Sequence, residues 1–428
     1  SYTHTFMIFS QNIIKSDINY CRRAPHVGFL TMTMTMISRG GSWWMWMGLG
    51  AILTCTIVNT HNISSKTFLM MEDNAAQKPK PKQHVDVDSQ DDGFCSFIST
   101  TSPFTGTRLW QEHLPRIIKA SRNPLIPDLF TDKEEDAKLH KLLEEILSAS
   151  RFRRGVRHIP TFSHEILQNI FHIVQMRVQD PDKYPPLHIA VFGGSVTGGR
   201  GCYPRLGRQC AWPQRLELLI NQFAKKDIVK VHNLAIGGTN TGSAIKSVKY
   251  WFYPEEIAKV GPDVIINSYS TNDSLPRDGL GPDQDKVTVV LEDTRNINGA
   301  FIREALQSKP CRKTPLVVHV DDYLGPQQQQ VLGDMSYISA ITQLAKWYDT
   351  MAISYAEVVR DIFYMDTKDP TFGNVMNVHF GHWAHQTIAW SVGFGFMELA
   401  SAFCDDEYNL RIKHENKNSS HLVSHDDR

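Results

Sequence analysis

Apolar and polar positions fall into a regular alternation from about residue 184 onward. The run Ile189-Ala190-Val191-Phe192 lies between Pro185-Pro186 and a cluster of glycines, and no polar residue interrupts it. That pattern predicts a strand buried on both faces, of the kind found in parallel sheets. Apolar or β-branched runs at 228–234, 263–269, 315–320 and 351–354 predict four more strands. Helical spacing occupies the intervals at 213–223, 240–250, 301–308, 337–348 and 355–363, and resumes from Trp383 with Ile388, Trp390, Val392 and Phe396. Strands alternating with helices imply parallel pairing through right-handed crossovers, with helices on both sheet faces.

Upstream, 132–150 sets Leu139, Leu142, Leu143 and Ile146 on one face, and 163–178 does the same with Ile166, Ile170, Ile173 and Val174. Both are packing elements for the main domain. The stretch WWMWMGLGAILTCTIV at 43–58 carries no charge, and Lys15, Arg22, Arg23 and Arg39 precede it. It falls between a signal-peptide core and a membrane span in length. A signal anchor with a cytoplasmic amino terminus is the first reading, and a cleaved signal peptide the second. Residues 60–100, with QKPKPKQ and VDVDSQDD, are too polar to form a core and predict a partly disordered stalk. The expected order is a disordered cytoplasmic tail (1–41), the anchor (42–59), the stalk (60–110), a helical packing segment (111–183), the main domain (184–404) and a disordered polar tail (405–428). The main domain would then be lumenal or extracellular.

Composition adds limits. The 428 residues are 41% hydrophobic and 21% charged, as in globular proteins, and 45 basic residues balance 45 acidic ones. That balance gives no reason to expect a nucleic-acid partner. Of seven cysteines, Cys95, Cys202, Cys210, Cys311 and Cys404 follow the apolar run. Cys202 and Cys210 bracket a short loop that a disulfide can close, and one of the five is expected to stay unpaired. The tripeptides beginning at Asn62 and Asn418 match glycosylation acceptors.

The candidate chemistry sits at strand ends. Gly193-Gly194 turn the chain after the first strand and place Ser195 where open α/β sheets hold their ligands. The next two strand ends carry Gly237-Gly238-Thr239-Asn240 and Ser270-Thr271-Asn272-Asp273. Gly238 offers a backbone N–H and Asn272 a side-chain NH₂ to a developing oxyanion, as does the N–H of Ser195. His379, in a loop leading into the last helix, can reach the first strand end and take the Ser195 proton. His382 and His385 predict structural roles, because Gly381 interrupts the helix that a shared metal-binding face would need. Asp321 and Asp322 at the fourth strand end predict solvated loop charges, or else partners for sugar hydroxyls. No nucleotide, flavin or metal is called for.

The stretches FGGSVTGG, NLAIGGTNTG, SYSTNDS and NVHFGHWAHQ resemble, in order and context, the four blocks of the SGNH/GDSL hydrolase family. The resemblance spans roughly residues 186–400. It implies a flavodoxin-like three-layer α/β/α sandwich with a five-stranded parallel sheet. It also implies Ser195 as nucleophile, Gly238 and Asn272 as oxyanion donors, and His379 as base. Three positions depart from the family pattern. Gly194 stands for the Asp of the GDS signature, Ser270 for the Gly of the third block, and Met376 for the Asp three residues before the histidine. Asp369, Asp366, the side chain of Asn377 or a backbone carbonyl then remain to orient His379. The implied activity is hydrolysis of acyl esters of lipids, glycans or small molecules. Acyl transfer with the same residues, or a catalytically silent binding protein on the same scaffold, are the alternatives.

Overall fold

Six strands form the main sheet: β1 (Val156–His158), β2 (Leu187–Gly193), β3 (Val229–Asn233), β4 (Val264–Ser268), β5 (Leu316–Asp321) and β6 (Met351–Ser354), in the order β1-β6-β5-β4-β2-β3. This computed structural model describes residues 95, 105–122, 132–202, 207–274, 285–307, 314–322, 328–365, 371–372, 374–376 and 378–423. All of them fall within the unit Gln90–Arg428. Strands β3, β2, β4, β5 and β6 are parallel neighbours, and from β2 the chain goes first to β3 at one edge and then back across to β4, β5 and β6 on the other side. That order puts a topological switch point between β2 and its neighbours, and ligands of open α/β sheets bind there.

The sheet has one strand more than the five expected. β1 pairs antiparallel with β6 at the edge. Its three residues are too short to register as a period, and pairing with an existing edge, not hydrophobic pattern, recruits them.

One sheet face carries the side chains of Ile189, Val191, Val264, Ile266 and Val318. Helices α1 (Gly106–Glu112), α2 (Leu114–Ser121), α3 (His164–Gln179), α4 (Trp212–Ala224), α8 (Tyr355–Met365) and α9 (His382–Val423) cover it, through residues such as Trp110, Ile117, Ile170, Leu216, Val358 and Trp390. The opposite face, with Ala190, Phe192, Ile265 and Val317, is covered by α5 (Thr241–Lys249) and α6 (Lys286–Leu306). Helix α7 (Gln328–Tyr348) adds Tyr337 and Ile341 against Ala352 of β6. The result is three layers. β2 is buried along its whole length because both faces are covered, which is why its sequence shows no alternation.

Several boundaries move. The expected stalk ends too late: Cys95 is disulfide-bonded to Cys404, with Cα atoms 5.5 Å apart, and Leu109 and Trp110 are buried in the core. The expected polar tail begins too early, since α9 runs to Val423. Helix α6 starts at Lys286, well before the expected 301, with Asp285 capping it by accepting from Val287 N at 3.1 Å. Residues 328–330 of the four-glutamine run, which suggest a loop tip, lie in α7. The anchor at 42–59 lies outside the described residues. Among those described, His382–Asp405 is apolar and long enough to cross a membrane, but most of it is buried inside the fold. Its Trp390 and Phe394 are fully enclosed, as a core helix requires.

Candidate active site

Three strand ends and one hairpin converge. β2 ends at Gly193, and the chain turns through Gly194 to Ser195. After β3 the segment 234–240 is bonded back to that strand by Leu234 N to Val191 O (2.8 Å) and Ile236 N to Gly193 O (2.9 Å). This lays the Gly237-Gly238 turn against the serine: a Cβ on Gly237 would sit 3.6 Å from Ser195 Cβ. Gly238 has φ +76, a left-handed conformation that glycine adopts without strain. Asn272 lies in the short helix after β4. Its amide presses on the serine turn, because a Cβ on Gly194 would lie 2.2 Å from Asn272 Oδ1. A side chain there displaces the Asn272 amide. Gly194→Ala is therefore expected to push Asn272 away and reduce turnover while leaving the melting temperature nearly unchanged, which kinetics and a thermal melt on one preparation will show.

His379 arrives from the far end of the chain. β7 (Asn374–Met376) and β8 (His379–Phe380) pair antiparallel, and this hairpin fixes the histidine backbone just before α9. The ring of Tyr355 packs 5.7 Å from that of Phe380, and its hydroxyl donates to Phe372 O at 2.8 Å, which seats the hairpin on the domain. His379 is buried and its Nε2 lies 2.8 Å from Ser195 Oγ. These two residues are 184 positions apart in sequence. Asp369 and Asp366 lie outside the described residues, as does Asn377.

Two further devices hold the histidine: a disulfide that the sequence pointed to, and a buried arginine that it did not. The Cys202–Cys210 disulfide, expected from its loop, is present with Cα atoms 5.9 Å apart; Cys311 lies outside the described residues. The loop that it closes begins at Gly201, where φ is +86 and an added Cβ would come 2.7 Å from His379 Cβ. Beneath it the buried guanidinium of Arg215 donates to Cys210 O (2.7 Å) and Gln386 Oε1 (2.6 Å), and lies 3.1 Å from His382 Nδ1. Burial lowers Arg215 to about 10, so it remains charged at neutral pH. Arg215 thereby ties the disulfide loop to the start of α9 on either side of His379. Burial lowers His382 to about 2 and His385 to about 3, so both stay neutral and belong to the packed helix.

Asp321 and Asp322 are not solvated. They are 1% and 0% exposed. Asp321 Oδ2 accepts from Ser354 Oγ at 2.6 Å, and burial raises its carboxyl well above the ordinary range. Asp322 joins two loops of the site. Its Oδ2 lies 2.9 Å from Thr197 Oγ1, two residues after Ser195, and its Oδ1 accepts from Ser270 Oγ at 3.0 Å, two residues before Asn272. The Asp322 N–H donates to Ser270 Oγ at 2.9 Å. Burial pushes the Asp322 carboxyl up to about 6. Thr197 Oγ1 is also 2.9 Å from Ser268 O. One hydroxyl proton serves one of its two acceptors, so once Asp322 is protonated, below about pH 6, it can donate to Thr197 while Thr197 donates to Ser268 O. The only cue in the sequence was a pair of carboxylates at a strand end.

Beside Asn272 a small pocket opens, lined by Asn240, Asp273, Asp293 and Asn298 among others.

No family model matches the chain, and no curated protein does. Solved structures similar to it include a two-domain esterase active on acetylated mannans, at 16% identity and TM-score 0.41, over 58% of this chain and 56% of that one. An acetyl xylan esterase variant from Geobacillus stearothermophilus matches at 15% identity and TM-score 0.37, over 49% of this chain and 95% of its own. A member of the lipolytic G-D-S-L family from Veillonella parvula matches at 15% and 0.34, over 48% and 96%.

Proposed function

We propose that this chain is a serine esterase in which Ser195 is the nucleophile and His379 its base. The observation that carries the reading is the 2.8 Å contact between His379 Nε2 and Ser195 Oγ, made across 184 residues of sequence. A structural serine needs no imidazole brought to it by a dedicated hairpin. Ser195 passes its proton to His379 as Oγ bonds to the ester carbon. The carbonyl oxygen takes the electron pair, and the N–H groups of Gly238 and Ser195 with the Asn272 amide receive it. His379 then protonates the departing alcohol, and water repeats the sequence on the acyl-enzyme. Acetylated glycans and short-chain esters presented to the full chain test this reading. Hydrolysis of at least one, with the Ser195→Ala protein inert on all of them, is the expected result. Identical behaviour of the two proteins across the panel contradicts it.

The two disulfides, Cys95–Cys404 and Cys202–Cys210, fit an oxidising compartment, so we place the domain in the secretory pathway. Peptide mapping of protein from a secreting host checks both pairs, and reduced thiols at all four positions contradict that placement.

A further inference from the structure

At the other end of the sheet from Ser195 a second cluster of donor atoms is assembled. His188 is the second residue of the inner strand β2, and His232 lies on the edge strand β3. Parallel register pairs His188 with Lys230 and Ala190 with His232, so the two imidazoles project from the same face, offset by two residues. His188 Nδ1 is 3.1 Å from His232 Nε2. A carboxylate oxygen of Glu256, on the short helix Glu255–Ala258, completes a trio whose donor atoms all lie within 4.8 Å of one another. That oxygen is 3.9 Å from the other ring nitrogen of His232. The two histidines are buried and Glu256 is exposed, so the trio opens to solvent on one side.

We propose that His188, His232 and Glu256 form a site for a divalent transition-metal ion, zinc above all. Two nitrogens on a tetrahedral zinc lie about 3.4 Å apart, given Zn–N bonds of about 2.0–2.1 Å. The observed nitrogen separation is close to that span. Two imidazoles and one carboxylate from three separate elements are a zinc ligand set that leaves a fourth position for water. Glu256 reaches the ion by side-chain rotation, unhindered on an exposed helix. Five steps of strand separate His188 from Gly193, about 16 Å at ~3.3 Å per residue, and Ser195 lies in the turn beyond. The ion therefore pins the edge strand to its neighbour and takes no part in acyl chemistry.

Untagged full-length protein, stripped with EDTA and titrated calorimetrically with zinc chloride, tests the site. The expected result is one ion per chain, a melting temperature that rises with zinc, and ester turnover unchanged by stripping. His232→Gln is expected to lose the binding. Glu256→Gln lies on the surface and preserves the fold, and it is expected to weaken binding about tenfold or more. No binding by the wild type overturns the proposal. So does unchanged binding in Glu256→Gln together with a folded His232→Gln, because the ion then sits elsewhere.

Discussion

Ser195→Ala is expected to yield a folded protein whose kcat/KM for its ester falls by about 10⁵–10⁶-fold, the range seen when a serine centre loses its nucleophile. His379→Ala is expected to fall nearly as far. The double variant is expected to fall no further than Ser195→Ala, because residues that act as one unit are not additive. The geometric basis is the single contact between Nε2 and Oγ. Steady-state kinetics on all three proteins checks this. Additive losses, with the double variant far below either single one, would indicate that the two groups act independently.

The second large effect concerns Asp322. Asp322→Ala removes the shared partner of Thr197 and Ser270, and so uncouples the serine turn from the Asn272 turn. Thr197 keeps Ser268 O and Ser270 Oγ keeps the backbone N–H of residue 322, so the loss of this shared acceptor costs about 1–3 kcal/mol of stability. Turnover falls as well, because Ser195 and Asn272 each lie two residues from a freed hydroxyl. Asp322→Asn behaves differently, since its NH₂ imitates the protonated acid toward Thr197. The pH dependence follows from the raised carboxyl, about 6 in the fold against an ordinary 3.8. Near pH 5 the folded chain holds a proton that the unfolded chain has released. Stability from this group is full below the ordinary value and is lost as pH rises through about 6. The wild type is thus expected to lose stability relative to Asp322→Asn between pH 4 and about 6, with a flat difference at higher pH. Urea midpoints for both proteins across that range measure it, and a difference rising in the wild type's favour with pH contradicts it.

Much of this fold was legible because buried parallel strands write themselves as uninterrupted apolar runs. The core of β2 and most of β6 show that signal; β3, β4 and β5 carry Lys230 and His232, Asn267 and His319 within β-branched runs, and the helices between them show the 3.6 period. β1 escaped it, being three residues recruited by an edge. The start of α6 escaped because a cap at Asp285, not hydrophobic period, sets it, and the glutamines at 328–330 begin α7. At the site, Ser195, Gly238, Asn272 and His379 were legible as small or polar residues at strand ends and before the last helix. What binds them was not. Two positions where the chain departs from the motifs that it resembles acquire physical reasons only in three dimensions. Gly194 is glycine because the Asn272 amide occupies the space of its side chain. Ser270 carries a hydroxyl because Asp322 receives it. A buried carboxylate and an exposed one look the same in a sequence, and so Asp322 read as a loop charge.

The central claim is that four remote segments make Ser195 a nucleophile through His379. Labelling with a fluorophosphonate probe tests it most directly, followed by peptide mass analysis of the modified residue. The account predicts covalent modification at Ser195 in the wild type, its loss in Ser195→Ala, and its near-complete loss in a folded His379→Ala. Well-folded wild-type protein that takes up no probe, or labelling of Ser195 that persists undiminished without the imidazole, would contradict it.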